Sequence, residues 1–430
     1  MGVTEDDLMT YDLVVKGKIV DLKNIFEAQI GIEDGIIKEI KKQGLKGDRY
    51  IDAKNFLIFP GFIDLHVHMR VPGWEYKEDF FTGTKAAAHG GVTTVVDMPN
   101  TPKPATSLER ILEKRKLANK KSVVDVLFYG GVVEKNISEL RRMTNEVVGY
   151  KIYTAKSTGG MYLPYEYIQR AEGKISMLNR PASFHCEDRK IIDEKTKKFS
   201  EKTDPEIHCD IRPPESEMIA VQNVLLSTKS KVNICHVSTK KSLEVIEEAR
   251  MKNRVITCEV TPLHLFFTRT NVADKKNFLK TNPPLRSNQD RKSLLEGLIN
   301  GKIDFLASDH APHTIEEKEQ DVWSAPSGVP ELDTYGSFVT WLMKIGATPQ
   351  TIMKICSYNP AKFLNLNKGV IEKDKVADIT IVDSKCLTKI TSDNLYTKCG
   401  WSPFEGVEFP GKVAFTIRNG EVIMEDNNVI

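Results

Sequence analysis

The chain has 430 residues, 40% hydrophobic and 28% charged, a balance that argues against a disordered polymer and allows one large domain plus an accessory unit. With 61 basic and 59 acidic residues the formal charge is +2, too even to argue for a nucleic-acid partner. There is no run of about 18 apolar residues, so no membrane-spanning helix is expected. Residues 1–11 are acidic and polar and lack a signal-peptide core, and the seven cysteines form no C-x-x-C pair, so a cytoplasmic protein with reduced thiols is expected.

Residues 11–58 read as short strands. Tyr11-Asp-Leu-Val-Val-Lys-Gly-Lys-Ile-Val alternates imperfectly, and Glu33-Asp-Gly-Ile-Ile carries a turn followed by a strand. The far end is similar: Ala377-Asp-Ile-Thr-Ile-Val-Asp is one strand, and the run from Lys412 to Ile423 is two, joined by the hairpin signal Asn419-Gly420. One small β domain built from residues 1–58 and 367–430 is predicted. Between them, strand-like and helix-like segments alternate about eight times, the pattern of a TIM (β/α)8 barrel over residues 59–366. The strands are predicted at 62–69, 92–98, 123–130, 149–154, 182–186, 232–237, 255–260 and 303–308, short and rich in Val, Ile and Phe as buried parallel strands are. Helices are predicted at 80–89, 107–119, 214–226 and 242–251, with Ser107 and Ser242 as N-caps.

The barrel's strand ends carry the chemistry. In His66-Val67-His68 the period of two turns both imidazoles to one side, although alone this pattern is equally two ordinary histidines. Lys151, His185, His236 and Asp309 end other strands, at the face where barrels place their active sites. Together these side chains offer nitrogen and oxygen donors suited to Zn2+. A lysine ammonium has no lone pair, but the free amine can take up CO2 and become an anionic bridge; a salt-bridged barrel lysine is the alternative. Glu259 ends the seventh strand within reach of His66 or of a further metal. Alternation predicts that Cys235 points away from the site as a core thiol. His89, His208 and His264 are read as structural, and His310 as a neighbour that shapes the site from behind. Residues 154–160, rich in Ser, Thr and Gly, suggest a mobile loop.

Several motifs together resemble the dihydroorotases of the amidohydrolase superfamily. They are Pro60-Gly-Phe-Ile-Asp-Leu-His-Val-His-Met-Arg-Val-Pro-Gly, Asp97-Met-Pro-Asn-Thr, Asn282-Pro-Pro-Leu-Arg and Ser308-Asp-His-Ala-Pro-His. The resemblance runs from about Pro60 to Leu364. It implies two zinc ions: His66, His68 and Asp309 hold one, His185 and His236 the other, and carboxylated Lys151 bridges them. It implies that Arg70, Asn100, Asn282 and His313, with His68 beside them, hold the substrate, and that Ser327 and Gly328 meet its ring through backbone groups. Asp309 is then also the catalytic base. The implied activity is reversible conversion of N-carbamoyl-L-aspartate and (S)-dihydroorotate, with allantoinase or hydantoinase chemistry as the near alternative and a non-catalytic barrel scaffold as the distant one. The implied partner is a small molecule. A homodimer and an association with aspartate carbamoyltransferase stay open.

Overall fold

The computed structural model describes residues 10–252 and 255–430; most of the polar opening segment, residues 1–9, lies outside the described residues. The chain starts in four strands, β1 (Thr10–Val20), β2 (Ile25–Glu33), β3 (Ile36–Lys41) and β4 (Lys46–Pro60). Eight more follow, alternating with helices: β5 (Phe62–Val67), β6 (Val92–Asp97), β7 (Asp125–Gly131), β8 (Gly149–Tyr153), β9 (Ala182–His185), β10 (Val232–Ile234), β11 (Ile256–Val260) and β12 (Phe305–Leu306). These eight pair in parallel and in sequence order, and a bridge between Val67 and His310 brings the two edges together. The result is a nearly closed (β/α)8 barrel, as the alternating pattern predicts.

The tail adds β13 (Ile379–Asp383), the two-residue partners β14 (Thr388–Lys389) and β15 (Glu408–Phe409), and then β16 (Lys412–Arg418), β17 (Glu421–Glu425) and β18 (Asn428–Val429). Both chain ends meet in one mixed sheet of order β18-β17-β16-β13-β4-β1-β2-β3, where only β1 and β4 run parallel. Its core is aliphatic, with Leu13, Val15, Ile19, Ile30, Ile58, Ile379, Ile381 and Ile417 buried together. Asn419 and Gly420 turn the β16–β17 hairpin with φ of 48° and 77°, the left-handed pair that an Asn-Gly turn supplies.

The helix Phe80–His89 lies where the apolar pattern places it, and Ser107 caps Leu108–Ala118 by accepting from Arg110 N. The next predicted cap is shifted. The helix Lys240–Arg250 begins earlier than expected, and Thr239 caps it, accepting from Ser242 N at 3.1 Å. Among the described residues no helix is long and apolar enough to cross a membrane.

One ion cluster fastens the sheet to the barrel. Lys368 Nζ donates to Asp125 Oδ2 at the start of β7 (2.7 Å) and to Asp378 Oδ2 just before β13 (2.6 Å), and Arg418 Nη2 lies 2.7 Å from Asp125 Oδ1. Breaking a buried pair strands its partner's charge, so Lys368→Met should cost about 3 kcal/mol of unfolding free energy in a denaturant titration. A loss below about 0.5 kcal/mol would mean that the cluster contributes no more than a surface pair.

Candidate metal centre and substrate pocket

His66 lies on β5 and His68 just beyond it; Lys151 lies on β8, His185 ends β9, His236 sits two residues past β10, and Asp309 three past β12. All six gather at the C-terminal mouth of the barrel. His66, His236 and Asp309 each offer a ligand atom, and these atoms lie within 4.8 Å of one another. The imidazole rings of His185 and His236 are 4.7 Å apart between centroids, and those of His66 and His236 5.3 Å.

Past the ends of β5, β10 and β12 the backbone leaves regular strand geometry. Arg70, His236 and Asp309 have φ of 62°, 34° and 49°, a region that side-chain-bearing residues rarely occupy. Each leaves the ladder to bring its side chain over the mouth. The same turn at His236 corrects the reading of Cys235. It is His236 that leaves the alternation; Cys235 shares the inner face with Asn233, and Lys151 Nζ donates to its Sγ at 2.7 Å. Lys151 is fully buried.

Three imidazoles have their proton placed by a neighbour. His66 Nδ1 donates to Glu259, whose other oxygen accepts from Asn233 Nδ2 at 2.9 Å. His68 Nδ1 donates to Asn100 Oδ1 at 2.8 Å, and Asn100 Nδ2 donates to Thr158 O. His185 Nε2 donates to Glu187 Oε2 at 2.8 Å. Burial pushes the pKa of His66, with Lys151 adding to the effect, below its usual value; burial with Arg70 does the same for His68, and burial with His185 for His236. These rings are therefore neutral, and their remaining nitrogens are lone pairs. The lone pairs of His68 Nε2 and His66 Nε2 stand 3.0 and 3.3 Å from Asp309 Oδ1, and His185 Nδ1 and His236 Nε2 share a hydrogen bond of 3.0 Å. Electron pairs pointed at a carboxylate and gathered in a buried space are the arrangement that a divalent cation satisfies.

Glu187 was not among the residues picked out in the sequence. Burial alone would raise its pKa, but the Arg212 guanidinium, with His185, outweighs that and holds the carboxyl at about 2. As a fixed anion it locks the His185 tautomer. Glu187→Gln should weaken metal binding about 10- to 100-fold in a chelator competition, the usual size for a carboxylate behind a histidine ligand. Affinity within twofold of the parent would remove that role.

The pocket beside these donors is lined by Arg70, Asn100, Asn282, Ser327 and Gly328, along with Tyr153 and the 156–158 part of the predicted loop. Arg70 Nε donates to Pro312 O at 3.0 Å, and burial lowers its pKa to about 10, which leaves it charged near neutral pH. His313 lies behind Arg70 and off the pocket surface. Lys77 donates to its Nδ1, and its Nε2 is 3.1 Å from Ser327 O and 3.0 Å from Arg70 Nη2. Asn282 Oδ1 is 3.0 Å from His208 Nε2, so the half-buried His208, read as structural, supports a pocket residue. A Cβ on Gly328 would sit 2.4 Å from Ala311 O; only glycine allows this close approach of the two segments. His310 points away, its Nδ1 accepting from Glu331 N and its Nε2 3.4 Å from Glu78. His89 pairs with Asp333, and His264 with Thr261 and Pro283 O, both structural as expected.

The amidohydrolase family pattern matches residues 57–423. The chain belongs to the amidohydrolase family. Within that family its similar curated relatives include dihydroorotases. The enzyme of Methanosarcina acetivorans is 40% identical over 422 residues, covering 93% of this chain and 89% of that one. That of Methanosphaera stadtmanae is 38% identical over 438 residues and covers 97% of each. Among solved structures, the L-hydantoinase (dihydropyrimidinase) of Arthrobacter aurescens superposes with a TM-score of 0.95 at 30% identity, covering 98% of both chains. Members of this family depend on metals, and the donor cluster described above fits that chemistry.

Proposed function

We propose that the protein is a dihydroorotase, a cyclic-amide hydrolase that interconverts (S)-dihydroorotate and N-carbamoyl-L-aspartate on the route to UMP. The observation that carries this reading is the buried Arg70 guanidinium lining one pocket with the clustered imidazoles of His66, His68, His185 and His236. Both substrates carry a carboxylate remote from the reacting bond, and a planar guanidinium suits it. Hydantoin has no such group.

His66, His68, His185, His236 and Asp309 would hold two zinc ions, together with Lys151 once its amine has taken up CO2. Bound there, the metals supply a Lewis acid for the ring carbonyl and an acidified water as nucleophile. The chain supplies the rest. Asp309 takes a proton from the attacking water and passes it to the departing ring nitrogen. Arg70 anchors the substrate carboxylate, with Asn100, Asn282, Ser327 and Gly328 around the ring. His313, set behind Arg70, acts through it. The same proposal divides the chain at residues 58 and 366, places it in the cytoplasm, where seven thiols free of disulfides are at home, and leaves a homodimer or an aspartate carbamoyltransferase complex to be read from its size in solution.

The deciding experiment offers the purified, zinc-loaded protein dihydroorotate, hydantoin and allantoin and follows ring opening. Dihydroorotate should be the preferred substrate by kcat/KM. Preference for either of the others would make this a sister enzyme, and no turnover of any would favour the scaffold reading.

A further inference from the structure

Among the described residues, Lys318 and Lys280 are buried outside the metal centre with no carboxylate among their hydrogen-bond partners. Lys318 ends the short helix Ile315–Lys318, and its Nζ donates to three backbone carbonyls: Gly328 O (2.9 Å), Pro326 O (3.0 Å) and Lys280 O (3.3 Å). That is the full donor complement of an ammonium. Lys280 Nζ donates to Val322 O and Ala325 O, and the Lys280 carbonyl accepts from Gly328 N at 2.9 Å. Lys318 is 1% exposed and Lys280 9%.

These bonds join three separate stretches of chain. One is 280–282, which carries Asn282 two residues after Lys280. Another is 313–318, which runs from His313 to Lys318. The third is 322–328, which carries Ser327 and Gly328. The part of the pocket wall formed by Asn282, Ser327 and Gly328 is therefore tied to two ammonium groups. Burying a cation among carbonyls is costly, and a link that only filled space would be made more cheaply by an apolar side chain. What a charged hub with several short donors achieves is a fixed backbone, with Asn282, Ser327 and Gly328 held in one geometry before any ligand arrives.

We propose that Lys318 and Lys280 are positioning residues that clamp the 322–328 loop to the 280–282 segment and so preorganise the wall that receives the substrate ring. This rests on the reading of the pocket as a dihydroorotase site. The clamp touches none of the metal donors, so its loss should act on binding and spare the chemical step.

The test replaces Lys318 by Met, which keeps the stem and removes the charge, and does the same at Lys280. Both variants, zinc-loaded, should show KM for dihydroorotate raised about 10- to 100-fold with kcat within about threefold of the parent. Metal content should be unchanged, and calorimetry on the metal-free proteins should show dihydroorotate binding weakened by the same factor. The K280M/K318M double variant should lose little more than either single one, because both act on one loop. If K318M does not fold, K280M, at the more exposed position, carries the measurement. KM and binding within twofold of the parent in folded variants overturn the proposal, and so does a fall in kcat or in metal content at constant KM. The parent protein is assayed in parallel: if it fails to open dihydroorotate, the activity assignment fails, whereas a working parent matched by its variants fails the clamp alone.

Discussion

Asp309→Asn should lower kcat for ring opening by about 10³-fold or more while the protein stays folded and keeps part of its metal. Asp309 leaves β12 with φ of 49°, and this brings one carboxylate oxygen to 3.0 Å from His68 Nε2 and 3.3 Å from His66 Nε2. An amide keeps an oxygen lone pair at that point, so a ligand of reduced strength survives. It cannot accept and return a proton, and general acid–base catalysis by a positioned side chain is worth about 10²- to 10⁴-fold. Losing the negative charge beside the metals adds to the deficit. Ring opening measured by absorbance, with metal content measured on the same sample, checks this. Turnover within tenfold of the parent at equal metal content would move the proton-shuttle role to another group.

How far this site was legible in the sequence depends on which contacts are local. His66-Val67-His68 could be read because a strand repeats every two residues, and Phe80–His89 because its apolar face repeats at helical spacing. His185 and Asp309 could be placed because barrel strands end where the apolar runs end. The reading fell short where the backbone leaves regular geometry. Positive φ at His236 swings its imidazole to the face that Cys235 already shares with Asn233, and β10 ends just before it. It also fell short where partners are far apart in the chain. Lys280 reaches the carbonyls of a loop more than 40 residues on, whereas Glu259, 193 positions from His66, could be placed beside it because it ends a barrel strand. No periodicity encodes the Lys280 contacts. Glu187, two residues after His185, was the one support that spacing alone could have flagged, since H-x-E on a strand end turns both side chains the same way.

The carboxylate anchor yields the second large effect. Arg70→Met should reduce kcat/KM for dihydroorotate by about 2–4 kcal/mol, or about 30- to 1,000-fold, chiefly through KM. Arg70 is 2% exposed, its Nε is committed to Pro312 O, and His313 supports it from behind under the hold of Lys77. The guanidinium is therefore fixed before substrate arrives, and an anion bound to it gives up little further ordering entropy. Methionine fills similar space without the fork, so the expected loss is that of a charge-assisted contact and not of packing. A control separates these two causes. Dihydrouracil, the same ring without the carboxylate, should be handled equally by parent and variant, because it never engages Arg70. The ratio of kcat/KM between the two substrates is then the quantity to measure. If that ratio is the same in Arg70→Met as in the parent, the carboxylate is held elsewhere, and the choice of dihydroorotate over hydantoin-type rings loses its physical basis.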